Sequence, residues 1–207
     1  MRAVLLSIKP KYCELIASGK KTIEVRKTIP KIERPFKCYI YCTKQGKQFF
    51  HGEIGEKECL FKNPDTGKIK FDYAFELMCC KNEYTKDNFL SGKVIGEFVC
   101  DRIDDLRYVP TKYYLQPAGT WEEMICNNSC LSVDEIKEYA KGKAIYAWHI
   151  SDLKIYGKPK DLSEFKHWVN DKDYDGWNDQ RTKIVKGFVL RPLTRPPQSW
   201  QFVETGE

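Results

Sequence analysis

No apolar run in the sequence approaches the ~18 residues that a membrane-crossing helix requires. The apolar start, Met1 to Ile8, is short and lacks a cleavage site. Neither a membrane span nor a secretory signal is expected, and a cytoplasmic location is. Histidine is scarce: His51, His149 and His167 lie far apart in no ligand spacing, which speaks against a histidine metal site. The chain also lacks a glycine-rich phosphate loop, a nucleophile-elbow serine, an internal repeat and any low-complexity tract. Cysteine is plentiful, yet the nine residues are odd in number and scattered, which suits a reducing compartment better than a disulfide framework. Cys38 and Cys42 are four apart on an expected strand, hence about 13 Å from each other and unable to chelate together. Cys126 and Cys130 flank an expected loop ahead of a helix; as half of a zinc site they need a second pair, and only the adjacent Cys79 and Cys80 are on offer. No cofactor and no metal is expected.

What the chain does have is segregated charge. Residues 1–37 hold ten cations against three acids, a net +7 in a protein whose total is +6. A second stretch, Gln180 to Val203, is free of acids and carries Arg181, Lys183, Lys186, Arg191 and Arg195. Such segregation fits a face that binds a polyanion, and fits equally a solvated surface on which cations cluster.

With 207 residues the chain is long enough for one domain with a sizeable core. Ala3 to Ile8 reads as a buried strand. Pro10 to Ser18 reads as a short helix with proline at its first position, Tyr12, Leu15 and Ile16 on one buried face, and Gly19 as its left-handed stop. From Thr22 the period becomes two, so Ile23 and Val25 point into a core while Thr22, Glu24 and Arg26 share the other face. Lys37 to Cys42 reads as a central strand, Lys93 to Ile103 as one strand with a bulge at Gly96, and Ser199 to Val203 as a closing strand. Asn63 to Gly67 marks the turn of a hairpin between 58–61 and 69–73. Ser132 to Glu135 has the form of a capping box opening a helix to about Ala140. Ala144 to Ser151 and Asp152 to Tyr156 read as two more strands. Strands that outnumber two short helices and do not alternate with them predict an α+β mixed barrel.

The segment Gly19-Lys20-Lys21-Thr22-Ile23-Glu24-Val25-Arg26 matches the GxKxxExR signature, and the chain resembles the ASCH domain family through it. Leu6 to Pro10, Val94 to Phe98 and Tyr146 to Ile150 also resemble family positions. The resemblance covers residues 3–44 and 93–156, and implies a PUA-like mixed β-barrel with short flanking helices. On this reading residues 1–207 form one domain, with an inserted hairpin region at 45–92 and a less typical segment at 157–197. The resemblance further implies an RNA-binding cleft beside the signature, with Lys9, Lys20, Lys21, Glu24 and Arg26 as its nucleic-acid contacts. In a branch of the family that hydrolyses a modified cytidine, the signature lysine falls on Lys21. That branch has threonine where this chain has Glu24, and its acid comes from a stretch that here reads Asn127-Asn128-Ser129-Cys130.

The chemistry of these residues supports the same cleft. Arg26 has the fork to grip two oxygens of a phosphate, and Glu24 beside it suits orienting the guanidinium or accepting from a base amine. A surface ion pair of Glu24 with Lys21 or Arg26, worth under ~1 kcal/mol, is the plainer alternative. Tyr39, Tyr41, Trp121, Trp148 and Trp200 are candidate stacking platforms or core residues, and Trp148 and His149 should point opposite ways. The expected function is binding of single-stranded or modified RNA. A hydrolase, either amidohydrolase or ribonuclease, with Lys21 and Glu24 as catalytic groups is the second reading, and a protein-interaction module with a basic docking face is the third.

Overall fold

The computed structural model describes residues 2–44, 58–73, 88–106, 121–177 and 184–204. The chain opens with β1 (Arg2–Ile8), an apolar strand buried along all but its first residue. Helix α1 (Pro10–Ala17) follows, with Pro10 at its first position, where a missing N–H costs nothing. Its buried face is Pro10, Cys13 and Ile16. Tyr12 and Leu15, expected there, are only half-buried, because the three-residue spacing that starts at Pro10 rotates them towards the rim. Gly19, at φ 74°, ends the helix and turns the chain into β2 (Ile23–Arg26).

The architecture is α+β, but its large sheet is open. With β3 (Phe36–Cys42), β6 (Val94–Cys100), β9 (Ser151–Lys160), β10 (Lys166–Trp177), β11 (Ile184–Pro192) and β12 (Trp200–Glu204), β1 forms a seven-stranded sheet in the order β11-β10-β12-β1-β3-β6-β9. Only β1 and β3 run parallel, and β3 is central as expected. A second sheet, β2-β8-β7, contains β8 (Tyr146–His149) and β7 (Ile103–Asp105). The expected closed barrel is therefore corrected. The chain leaves one sheet for the other at corners instead of hydrogen-bonding round a ring. One corner follows His149, where Asp152 takes φ 47°. Another splits the expected 93–103 strand at Asp101 and Arg102, so that Ile103 pairs with Trp148 in the smaller sheet.

Between β3 and β6 the register slips by one residue beside Gly96, the expected bulge. A Cβ at Gly96 would lie 2.5 Å from the Lys154 carbonyl oxygen, so only glycine lets β9 approach there. The expected hairpin is β4 (Glu58–Lys62) paired with β5 (Ile69–Tyr73). Its turn is held by the Asn63 side chain, which accepts from the N–H groups of Asp65 and Thr66. The rest of the 45–92 region, apart from 88–92, lies outside the described residues.

Three α-helices occur among the described residues, one more than expected. The extra one, α2 (Trp121–Ser129), takes in Cys126 and most of the stretch expected to be a loop. Helix α3 (Val133–Ala140) opens on the expected capping box, with Ser132 Oγ accepting from Glu135 N–H and Glu135 from Ser132 N–H. Within 157–197, the segment expected to be less typical of the family, β9 runs on to Lys160 and β10 pairs antiparallel with β11. The main core packs Val4, Leu6, Ile8, Ile40, Phe98 and Trp148, while Ile23 and Val25 pack separately with Ile125 and Ile136 of the two later helices. Each such side chain contributes about 1.5–3 kcal/mol by leaving water. Among the described residues no helix is long and apolar enough to cross a membrane.

Candidate functional site

The end of α1 fixes the first polar group. The Lys21 N–H donates to the Leu15 carbonyl at 2.9 Å, and the Gly19 turn sends the lysine side chain inward, where it is 2% exposed. Its Nζ donates to the Ser129 carbonyl at 2.6 Å and lies 3.3 Å from Glu24 Oε2. Ser129 is the last residue of α2, whose terminal carbonyls carry partial negative charge, so the ammonium closes that helix end.

Glu24 and Arg26 come from the other face of β2 from Ile23 and Val25, as the alternation predicts. That face is buried too: Glu24 is 7% and Arg26 6% exposed. Thr22, expected to share it, is exposed. Glu24 bridges the two cations, with Oε1 3.0 Å from an Arg26 terminal nitrogen. The same guanidinium donates to the Ser7 carbonyl at 2.8 Å and to the Ser199 carbonyl and hydroxyl at 3.2 and 3.3 Å. It therefore ties the end of β1 to the segment entering β12. The expected phosphate grip of Arg26 meets terminal nitrogens that are already bonded within the fold. The plainer alternative of a surface ion pair does not describe this buried network either, since its members are shielded from water and salt.

Over this floor opens a cavity of about 770 Å³, within the range of small-ligand pockets. Lys9 and Tyr12 of the α1 side form one wall, and Glu135, Glu138 and Tyr139 of α3 face them. Lys27, Lys44 and Lys141 complete the rim. Lys9, Lys27, Lys44 and Lys141 are exposed, and none has an ion-pair partner among the described residues. Lys27 Nζ sits 4.8 Å from the Tyr139 ring centre and Lys21 Nζ 5.1 Å from that of Tyr12, both within cation–π range. Burial pushes the Tyr139 hydroxyl up, so its ring stays neutral. The Ser132 N–H holds the Glu135 carboxyl below the usual range. Six cations and three acids thus line one concave surface with two tyrosines.

The model of the ASCH domain matches residues 6–168. The chain belongs to the ASCH domain family. A crystal structure of ASCH from Zymomonas mobilis is 17% identical, with a TM-score of 0.49 over 98% of this chain and 87% of that one. Two point variants of the same Zymomonas protein are each 16% identical, at TM-scores of 0.48 and 0.49, over 98% of this chain and 90% and 88% of theirs. No curated protein matches the chain.

Within this ASCH chain, Lys9, Lys21, Glu24 and Arg26 all line the cavity, whereas Lys20 is exposed and lies outside its wall. The cavity cations that sequence reasoning missed are Lys27, Lys44 and Lys141, and the missed aromatic faces are Tyr12 and Tyr139. Of the expected platforms, Tyr39, Tyr41 and Trp148 are core residues. Trp200 is half-buried, 5.5 Å from Phe202 and 6.0 Å from Trp148 between ring centres. The Trp121 side chain lies outside the described residues. Trp148 and His149 do point opposite ways: Trp148 is fully buried, and His149 faces outward to Asp104 at 2.8 Å.

The cysteines form no second site among the described residues, where no group of three or more metal-ligating side chains occurs. Cys126 lies inside α2, and Cys130 beyond its end donates to the Lys20 carbonyl at 3.5 Å. Burial raises the Cys59 and Cys100 thiols to about 12, and Cys13 and Cys38 also rise by burial, so these are apolar core groups. Cys79, Cys80, His51, Arg181 and Lys183 lie outside the described residues.

Proposed function

We propose that this ASCH chain binds single-stranded or modified RNA in the cavity beside residues 19–26. The observation that carries the reading is the division of the cavity into a buried, internally bonded floor and an exposed rim of lysines flanked by Tyr12 and Tyr139. An unpaired base stacks on such aromatic faces, while mobile lysines at the rim meet its phosphates as point charges. Glu24, held at the floor between Lys21 and Arg26, keeps both cations in place beneath the base.

A hydrolase reading of the same cavity gives Lys21 and Glu24 the chemistry. Here both neighbours of Lys21 Nζ are acceptors, the Ser129 carbonyl and Glu24. The nitrogen acts as a donor in this arrangement, and an attacking lone pair would need both bonds undone. The stretch that supplies the acid in the hydrolytic branch has no carboxylate here, and gives Lys21 only the Ser129 carbonyl. This favours binding over catalysis.

Titrating a short single-stranded RNA at increasing salt tests the reading. Affinity should fall steeply with salt, and the slope should shrink in the double variant Lys27→Ala/Lys141→Ala. Absence of salt-sensitive binding overturns it. Product formation from modified cytidines, lost in Lys21→Ala, would establish the hydrolase instead.

A further inference from the structure

The cavity does not end at its rim. A second one, of about 910 Å³, shares Ser7, Thr43, Lys44 and Gln198 with the first. Its own walls are of a different kind: Leu162, Leu193, Pro196 and Pro197 give apolar faces, and Asp161 and Ser163 give polar edges. Apolar walls with a few polar groups suit a second base better than a phosphate, since Lys44 is the only cation lining it among the described residues.

Lys44 stands at the junction, and the fold holds its stem there. Gly92, at φ 90°, leaves its Cα face open, and the Lys44 stem lies across it: a Cβ at Gly92 would come 2.1 Å from Lys44 Cε. Residue 92 is itself anchored, its N–H donating to the Cys42 carbonyl at 2.7 Å. Beside Lys44, the Thr43 hydroxyl is withdrawn from solvent and has no hydrogen-bond partner. Thr43 lines both cavities, so this unpaired hydroxyl belongs to the wall they share.

We propose that the two joined cavities take two successive nucleotides of one strand, with the bridging phosphate at Lys44 and Thr43, so that the ligand is an oligonucleotide and not a free nucleoside. This rests on the RNA-binding reading of the first cavity and adds the length and path of the ligand. A mononucleotide fills the first cavity alone and leaves the apolar second cavity unused.

The test is a length series on the unaltered protein: a nucleoside monophosphate, a dinucleotide and a trinucleotide of the same base, titrated at one fixed salt concentration. A second stacked base should tighten binding about tenfold or more from one to two nucleotides, with little added by the third. Thr194→Glu, at an exposed wall position of the second cavity only, puts a carboxylate beside the second nucleotide and should abolish that gain and leave mononucleotide affinity unchanged. Lys44→Ala should reduce it. Equal affinity for one and two nucleotides overturns this inference while the RNA-binding reading stands. If neither ligand binds, the reading of the first cavity falls and this inference with it.

Discussion

The floor and the rim of the cavity carry the same kinds of side chain and have opposite energetics. On the floor Lys21, Glu24 and Arg26 are nearly solvent-free, bonded to one another and to three backbone carbonyls from β1, α2 and the segment before β12. At the rim Lys9, Lys27, Lys44 and Lys141 are exposed and free of carboxylate partners among the described residues. Charges on the floor are fasteners whose removal leaves buried partners uncompensated. Those at the rim add almost nothing to stability and, on the function proposed above, attract a polyanion. Position separates the two groups, and the signature residues and the residues proposed to attract the ligand are largely different sets.

The strongest test of that division is Arg26→Ala. It leaves Glu24 with Lys21 alone and two backbone carbonyls without their donor, so stability should drop by about 3–5 kcal/mol, read as a shifted urea midpoint with no RNA present. If the variant keeps its midpoint and loses only RNA affinity, Arg26 is a rim residue in energetic terms and the division fails.

Next in size is Tyr139→Ala, which removes an aromatic face that is 37% exposed on α3. RNA affinity should weaken by roughly 1–3 kcal/mol, the worth of one stacked base, while the midpoint falls by less than in Arg26→Ala. An unchanged dissociation constant would show that no base rests there. Smaller still is the effect of Lys27→Ala with Lys141→Ala. Stability should stay within about 0.5 kcal/mol of the parent, and the slope of log affinity against log salt should be lower by about 0.7 for each phosphate no longer neutralised. Weaker affinity without a change in slope would mean that these lysines act otherwise than on phosphates.

Sequence pattern made the floor legible and the rim obscure, for a physical reason. Pro10, Gly19 and the alternation after Thr22 act within a few residues, so α1, its stop and β2 follow from local rules. The Ser132 capping box and the Asn63 turn are local in the same sense. Lys44 and Lys141 reach the cavity only because β3 and α3 are brought to α1 by the core, and no spacing in the sequence records that. Helix α2 was hidden because its apolar positions, such as Ile125, make a weak stripe among polar neighbours. The β10–β11 ribbon escaped because aspartates and lysines interrupt its alternation. The open sheet was beyond the pattern altogether: strand count and bulges predict curvature, while closure depends on which edges finally meet.

The smallest expected effect concerns an acid at the rim. Glu135 lines the cavity and also caps α3, where the Ser132 N–H holds its carboxyl below the usual range. Because the folded value is depressed, the ionised cap stabilises fully above the ordinary glutamate value of about 4.3, and that contribution fades as pH falls through the lowered folded value. Glu135→Gln keeps an acceptor for the same N–H and removes only the charge, which at a helix start is worth roughly 0.3–1 kcal/mol. The parent should therefore be slightly more stable than the variant at neutral pH and equal to it in acid, by urea midpoints across the range. Towards RNA the sign reverses: losing a rim carboxylate should tighten binding at low salt, since its charge opposes the ligand that the four lysines attract. A stability gap that persists unchanged into acid, or RNA affinity that weakens in the variant, would mean that Glu135 is bonded into the site like Glu24 and does not belong to the rim.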